Sequence, residues 1–321
     1  MNRLISIAPM MNYTDRHERY FLRLISPHAL LYTEMITTGA LLHGDYKRFL
    51  RFSSEEHPIA LQLGGNDPEK LKDCAKMGED FGFNEINLNV GCPSDRVKSG
   101  QFGACLMLQP ALVAECVATM SNAIKIPVSI KCRIGVDHTD SYEALAAFIR
   151  RIADAGARVF IIHARKAWLQ GLSPKQNREI PPLRYEMVHQ IKQDFPHLAI
   201  IINGGITTLD AIDFHLTKVD GVMLGRFPYA NPYFLHSIEE KYFKEHHIPL
   251  DRFEIIEKLI PYVEKELREN VRLSNITRHI LGLFHGQKGG RLWRRRLSEK
   301  SSNYGIDVIK SALEKVRSAQ E

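Results

Sequence analysis

Cys92 closes a short apolar run, residues 86–90, at Gly91-Cys92-Pro93. The run has strand length, and glycine and proline punctuate its end. A thiol on a loop just past a strand's carboxyl end stands where open α/β sheets and barrels keep their chemistry. It can act there as a nucleophile, as a proton donor, or only as a small buried hydrophobe. Other chemistry-bearing residues follow strand-like runs in the same phase. Lys131 and Arg133 end one run, and His163 and Arg165 another. Asn203-Gly204-Gly205 and Gly225-Arg226 end two more, and Gln62 and Asn89 lie in the last turns of theirs.

Two of these stretches read as a phosphate grip. Glycines let backbone N–H groups approach phosphate oxygens, and a following helix N-terminus adds a favourable dipole. Asn203-Gly204-Gly205 and Gly225-Arg226 fall after the seventh and eighth runs, where barrels often bind phosphate, and Arg226 can add a charge-assisted contact. Lys131 can stabilise developing negative charge, form a Schiff base, or snorkel with no role. His163 can donate a hydrogen bond. Gln62 offers a donor and an acceptor, which suits the edge of a flavin or pyrimidine ring. A flavin mononucleotide across the strand ends would use all of them.

These residues need a scaffold that brings the strand ends together. Eight apolar runs, at residues 5–8, 29–33, 59–63, 86–90, 128–132, 159–162, 199–202 and 221–224, alternate with segments of helical periodicity. Continuous apolar strands between helices predict a buried parallel sheet, and eight such units predict an α/β fold of the TIM (βα)8 barrel type. Beyond residue 229 only helical spacing recurs, at 253–267, 276–284 and 308–316. The expected division is a barrel over residues 1–240 and an all-helical domain over 241–321. Five cysteines without a C-x-x-C pair argue against a disulfide framework or a zinc site and for a reducing cytoplasm. No apolar run approaches the ~20 residues of a membrane span, and the first residues lack the apolar core of a signal peptide. A formal charge of +6 tilts the expectation toward a polyanionic partner.

Longer motifs carry a family likeness. They are Ala8-Pro9-Met10-Met11-Asn12-Tyr13-Thr14-Asp15, Leu88-Asn89-Val90-Gly91-Cys92-Pro93-Ser94, Lys131-Cys132-Arg133-Ile134-Gly135 and Asn203-Gly204-Gly205-Ile206. With them the chain resembles the tRNA-dihydrouridine synthases, flavin-dependent TIM-barrel enzymes. The stretch from His163 to Lys175 and Glu34-Met35-Ile36-Thr37-Thr38-Gly39-Ala40 resemble the synthase A subfamily in particular. The resemblance implies FMN bound by Pro9, Met10, Met11, Gln62, Lys131, His163, Asn203, Gly204, Gly205, Gly225 and Arg226. It implies Cys92 as proton donor and reduction of the C5–C6 bond of a uridine in the tRNA D-loop, U20 or U20a by subfamily, with NADPH recharging the flavin.

A tRNA substrate gives further residues an expected role. Asn89, beside Cys92, can hold the uracil edge. Arg165, Lys175 and Arg178 fall at the rim of the pocket. Arg291, Arg294 and Arg295 share one helix face at i, i+3, i+4 spacing, suited to phosphates, with Trp293 and Leu297 as the buried stripe. Cys105 and Cys132 read as packing residues. A monomer with neither metal nor membrane attachment is expected. The rival readings are a flavin barrel acting on a free dihydropyrimidine or dihydroorotate, and an RNA-binding protein whose barrel is inactive. Activity on free uridine or orotate marks the first, and colourless purified protein marks the second.

Overall fold

The strands are β1 (Ile5–Ile7), β2 (Leu31–Tyr32), β3 (Ile36–Thr37), β4 (Ile59–Gly64), β5 (Glu85–Val90), β6 (Val128–Arg133), β7 (Val159–His163), β8 (Ala199–Asn203) and β9 (Gly221–Leu224). All pair in parallel, in the order β1-β9-β8-β7-β6-β5-β4-β2, with β3 also on β4. The ring closes where Ile7 N–H donates to Leu30 O (2.9 Å) and Leu30 N–H to Ile5 O (3.1 Å). The structure is a computed structural model that describes residues 2–243, 249–300 and 305–321. Its eight staves are the expected ones. The second stave is broken into β2 and β3, because the Thr33 hydroxyl takes the Gln62 N–H (3.0 Å) and donates to Glu34 O (2.7 Å) in place of ladder bonds.

Side chains alternate across each strand. Outward-facing Leu61, Leu63, Ile86, Leu88, Val90, Ile130 and Cys132 are fully buried, as are Leu71, Cys74, Val113, Cys116 and Met120 of the flanking helices. Each large side chain so covered contributes about 1.5–3 kcal/mol. Inward, the barrel has two characters. Ala8, Leu30, Tyr32, Ala60, Val159, Ile161, Ile201 and Met223 form an apolar cluster on which Met10 packs. Gln62, Glu85, Asn87, Asn89 and Ser129, from β4 to β6, form a buried polar side.

The helices, in chain order, are α1 (Arg16–Ile25), α2 (Thr38–His43), α3 (Tyr46–Leu50), α4 (Pro68–Asp80), α5 (Asp95–Ser99), α6 (Pro110–Ala123), α7 (Tyr142–Asp154), α8 (Tyr185–Asp194), α9 (Leu209–Leu216), α10 (Arg226–Ala230), α11 (Phe234–Tyr242), α12 (Arg252–Arg268), α13 (Leu273–Ile280), α14 (Gly290–Lys300) and α15 (Asp307–Gln320). Side-chain caps start several of them: Asp67 accepts from two N–H groups of α4, and Ser141 and Thr208 accept from Ala144 and Ala211. No described helix is long and apolar enough to cross a membrane.

The chain packs as two compact units, Met1–Met11 with Ala29–Gly225, and Asn12–His28 with Arg226–Glu321. Helix α1, which the alternating pattern assigns to the barrel, therefore groups with the C-terminal helices, and so do α10 and α11. The cause is polar. Arg16 grips the Glu266 carboxylate of α12, and Tyr20 stacks on Tyr262 at 3.9 Å. Asp15, the cap of α1, also meets Arg278 (2.5 Å) and His279 (3.0 Å) of α13. The expected stripe of α14 is present: Trp293 and Leu297 are buried, and the indole N–H donates to Ile280 O at 2.9 Å. Trp293→Ala should lower the unfolding free energy of the second unit by about 3–5 kcal/mol in chemical denaturation, and Trp293→Phe by roughly a third of that.

Candidate active site

Cys92 is placed by its neighbour three residues back. Asn89 is inward on β5 and buried. Its Oδ1 accepts the N–H groups of Gly91 (3.1 Å) and Cys92 (3.0 Å), which turns the chain sharply off the strand end. The Cys92 carbonyl accepts Ala104 N–H at 2.9 Å, and this pins the far side of the loop. Gly103 makes that closure possible: its φ is +61°, and a Cβ there would lie 2.7 Å from the Cys92 oxygen and 2.3 Å from Val97. The thiol itself is half-buried and donates to Ser94 Oγ at 3.5 Å. Burial pushes the thiols of Cys74, Cys116 and Cys132 up to about 12, so they stay protonated and inert. Cys105 is half-buried in a 3-10 turn, Gly103–Leu108.

Beside this loop the strand ends carry positive charge. Lys131 is half-buried and donates to Asn203 Oδ1 at 3.1 Å, while Asn203 Nδ2 donates to Met223 O at 2.8 Å. Burial, with the charge of Arg133, lowers the Lys131 ammonium to about 8, and Cys92 acts on it in the opposite sense. Burial likewise lowers Arg133 to about 10. Burial, Arg133 and Lys131 hold His163 well below its ordinary range, so its ring is neutral at pH 7. The His163 Nδ1 atom is buried without a hydrogen-bond partner. Gly204, at φ +119°, comes so near that a Cβ would sit 3.3 Å from His163 Nε2. A cluster of bases that depress one another, with an unsatisfied imidazole nitrogen, calls for a ligand bearing negative charge and hydrogen-bonding groups.

Gln62 is buried, and its amide is committed at both ends: Nε2 donates to Asn87 Oδ1 (2.7 Å) and Oε1 accepts Asn89 Nδ2 (2.9 Å). One N–H and one lone pair remain to it. Pro9 and Met10 are half-buried and Met11 is exposed at the end of β1. Gly205 is exposed, and a Cβ on Gly225 would meet nothing within 4 Å. Arg226 opens α10 and belongs to the second unit, as do Arg291 and Arg295, both exposed, and half-buried Arg294.

Arg165 is turned to the backbone of its own loop, where it donates to Glu179 O (3.4 Å) and Pro181 O. Lys175 and Arg178 are exposed on that loop. Sequence reading missed what holds it. Buried Asn177 accepts Trp168 N–H at 2.7 Å and donates to Trp168 O at 2.9 Å. Arg133 bonds the carbonyls of Gly91 (2.9 Å), Lys166 (3.0 Å) and Asn177 (3.1 Å), and so ties this loop to the one bearing Cys92. Glu85, Asn87 and Ser129 were also missed. Their signal is a polar residue at every second position of an otherwise apolar strand.

The family model described as dihydrouridine synthase matches residues 6–319. The chain is 57% identical over 312 residues to a tRNA-dihydrouridine(20/20a) synthase of Synechocystis, covering 97% of this chain and 93% of that one. It is 54% identical over 321 residues to the Shewanella oneidensis protein of the same name, covering 99% and 95%. It is 55% identical over 306 residues to that of Escherichia coli K12, covering 94% and 88%. Among solved structures, a 2-naphthoyl-CoA reductase in complex with 2-naphthoyl-CoA shares the fold with a TM-score of 0.57 at 11% identity, over 74% of this chain and 50% of that one.

The depressed Lys131 gives a pH signature in the ligand-free protein. Between its folded value of about 8 and the ordinary value of 10.5, the unfolded chain holds a proton that the folded chain has released. Stability therefore rises with pH across that window. Half-burial limits the gain to at most about 2 kcal/mol between pH 8 and pH 10. Denaturation at the two pH values should show this component, and Lys131→Met should remove it.

Proposed function

The chain belongs to the dihydrouridine synthase family, and on that premise we propose that it reduces uridine to 5,6-dihydrouridine at positions 20 and 20a of the tRNA D-loop, with FMN bound at the strand ends and NADPH as electron source. What carries the reading is a half-exposed thiol on a rigid strand-end loop, next to the positive cluster, in a chain that matches synthases of that name over nearly its whole length.

The residues present suit FMN. His163 has an unsatisfied ring nitrogen, Lys131 and Asn203 offer a cation and an amide, and Gly225 leaves open space where a Cβ would stand, with Gly204 and Gly205 completing the proposed phosphate grip. Pro9, Met10, Met11 and the remaining N–H of Gln62 complete the proposed set within the first unit. Bound there and reduced by NADPH, FMN would supply hydride for C6 of the uracil.

The chain's own part is the proton. Cys92 gives its thiol proton to C5 as negative charge develops on the C5/O4 side of the ring, and the thiolate left behind lies in the field of Lys131 and Arg133. Asn89 holds the loop, so the sulfur needs no reorganisation when the base arrives. The base must leave its stack to reach the site, at a cost of a few kcal/mol that binding elsewhere offsets. We assign that binding to Arg291, Arg294 and Arg295 of α14, turned away from the Trp293–Leu297 stripe, and to Lys175 and Arg178. A monomer working in the cytoplasm, without a metal, completes the reading.

Cys92→Ala should bind FMN and accept electrons from NADPH normally, while single-turnover reoxidation by tRNA slows by about 10²–10⁴-fold. Normal reoxidation would remove Cys92 from the scheme. Arg294→Glu with Arg295→Glu should weaken tRNA binding and lower the slope of log affinity against log salt by roughly two. Mapping dihydrouridine in tRNA from cells lacking this protein tests the positions: loss anywhere but 20 and 20a rejects the assignment.

A further inference from the structure

A directional chain of hydrogen bonds crosses the barrel interior and ends on Cys92. Glu85 lies at the amino end of β5, the opposite end of the strand from the Cys92 loop, roughly 16 Å away along the strand. Its carboxylate is fully buried and accepts from Arg3 at 2.5 Å, from the Tyr32 hydroxyl at 2.9 Å and from the Ser129 hydroxyl. Ser129 accepts from Asn87 Nδ2 at 2.8 Å. Asn87 Oδ1 accepts from Gln62, Gln62 Oε1 accepts from Asn89, and Asn89 Oδ1 accepts the Cys92 N–H.

An ionised carboxylate only accepts. Ser129 must therefore donate to Glu85, which leaves its lone pairs for Asn87 and commits each amide in turn to one orientation. The Gly91 and Cys92 N–H groups hold the outer end of this relay and Ser129 the inner end. Without Ser129 the Asn87 N–H is left unpaired in the core, and the relay that sets the place of Asn89 loses its fixed inner end.

We propose that Glu85 and Ser129 are positioning residues: from the opposite end of the barrel they fix the amide relay that holds the Cys92 loop and orients Gln62. The proposal rests on Cys92 as proton donor only for its catalytic consequence; the positioning itself is a property of the folded chain.

Ser129→Ala breaks the relay without touching the Glu85–Arg3 pair, and Ser129→Thr keeps the hydroxyl. In the holoenzyme, peptide-resolved alkylation of Cys92 by iodoacetamide should rise about tenfold in Ser129→Ala, with Cys105 unchanged as the control for general loosening. In the same variant kcat should fall about tenfold with the KM for tRNA unchanged. Ser129→Thr should restore both. Wild-type alkylation of Cys92 in a folded Ser129→Ala, an equal rise at Cys105, or no rescue by threonine overturns the proposal. Hydrogen exchange in the unmodified protein is an independent arm: the Cys92 amide should be protected like those of β5, and fast exchange there also overturns it. Should the protein prove inactive on tRNA while these reactivity effects hold, the functional reading fails and the relay stands.

Discussion

The polar half of the barrel interior has to satisfy itself, and the rest of the structure depends on how it does so. A closed parallel barrel buries the inward side chains of Gln62 on β4, Glu85, Asn87 and Asn89 on β5, and Ser129 on β6. A buried polar group without a partner costs about 1–3 kcal/mol. Six such residues, Glu85, Ser129, Asn87, Gln62, Asn89 and Tyr32, meet the requirement by bonding in series. The series ends on an acceptor, Asn89 Oδ1, and the chain folds over it to make the Cys92 loop. The bonds that satisfy the core are thus continuous with those that hold the loop.

At the strand ends the constraint is electrostatic. Lys131, Arg133 and His163 lie near enough to lower one another's proton affinity, and burial adds to the effect. Arg133 spends its donors on three carbonyls and acts as a fixed strut, while Lys131 has one amide partner and His163 leaves a nitrogen unsatisfied. Such a site is costly for the protein alone and relaxes when an anionic, hydrogen-bonding ligand arrives. Fully committed and partly committed bases thus stand on the same inward rows of the sheet and are told apart by their partners.

The second unit answers a different demand. Its helices bury a stripe of Trp293, Leu297, Ile276, Ile280 and Phe284, but charged contacts attach α1 to them. Burial raises Asp15, yet the hydrogen bond and charge of His279 outweigh it and leave its carboxyl well below the usual range, so it stays ionised as both helix cap and partner. A segment early in the chain is thereby bound to elements more than two hundred residues later, a link that helical periodicity does not register.

Several features were legible in the residues alone. Apolar runs alternating with helical spacing dictate parallel staves, because only a sheet covered on its outer face buries such runs, and glycine and proline mark where each one ends. The strand-end positions of Cys92, Lys131, His163 and Asn203 follow from that punctuation, since a parallel barrel brings all its carboxyl ends to one face. Tertiary structure alone decided the rest. The partition of α1, the break between β2 and β3, the strut role of Arg133 and the relay behind Asn89 each depend on pairs far apart in sequence, such as Arg3 with Glu85 or Arg16 with Glu266. Hydrogen bonds act over about 3 Å in space and leave no period along the chain, so their partners are fixed only once the barrel register and helix packing are set.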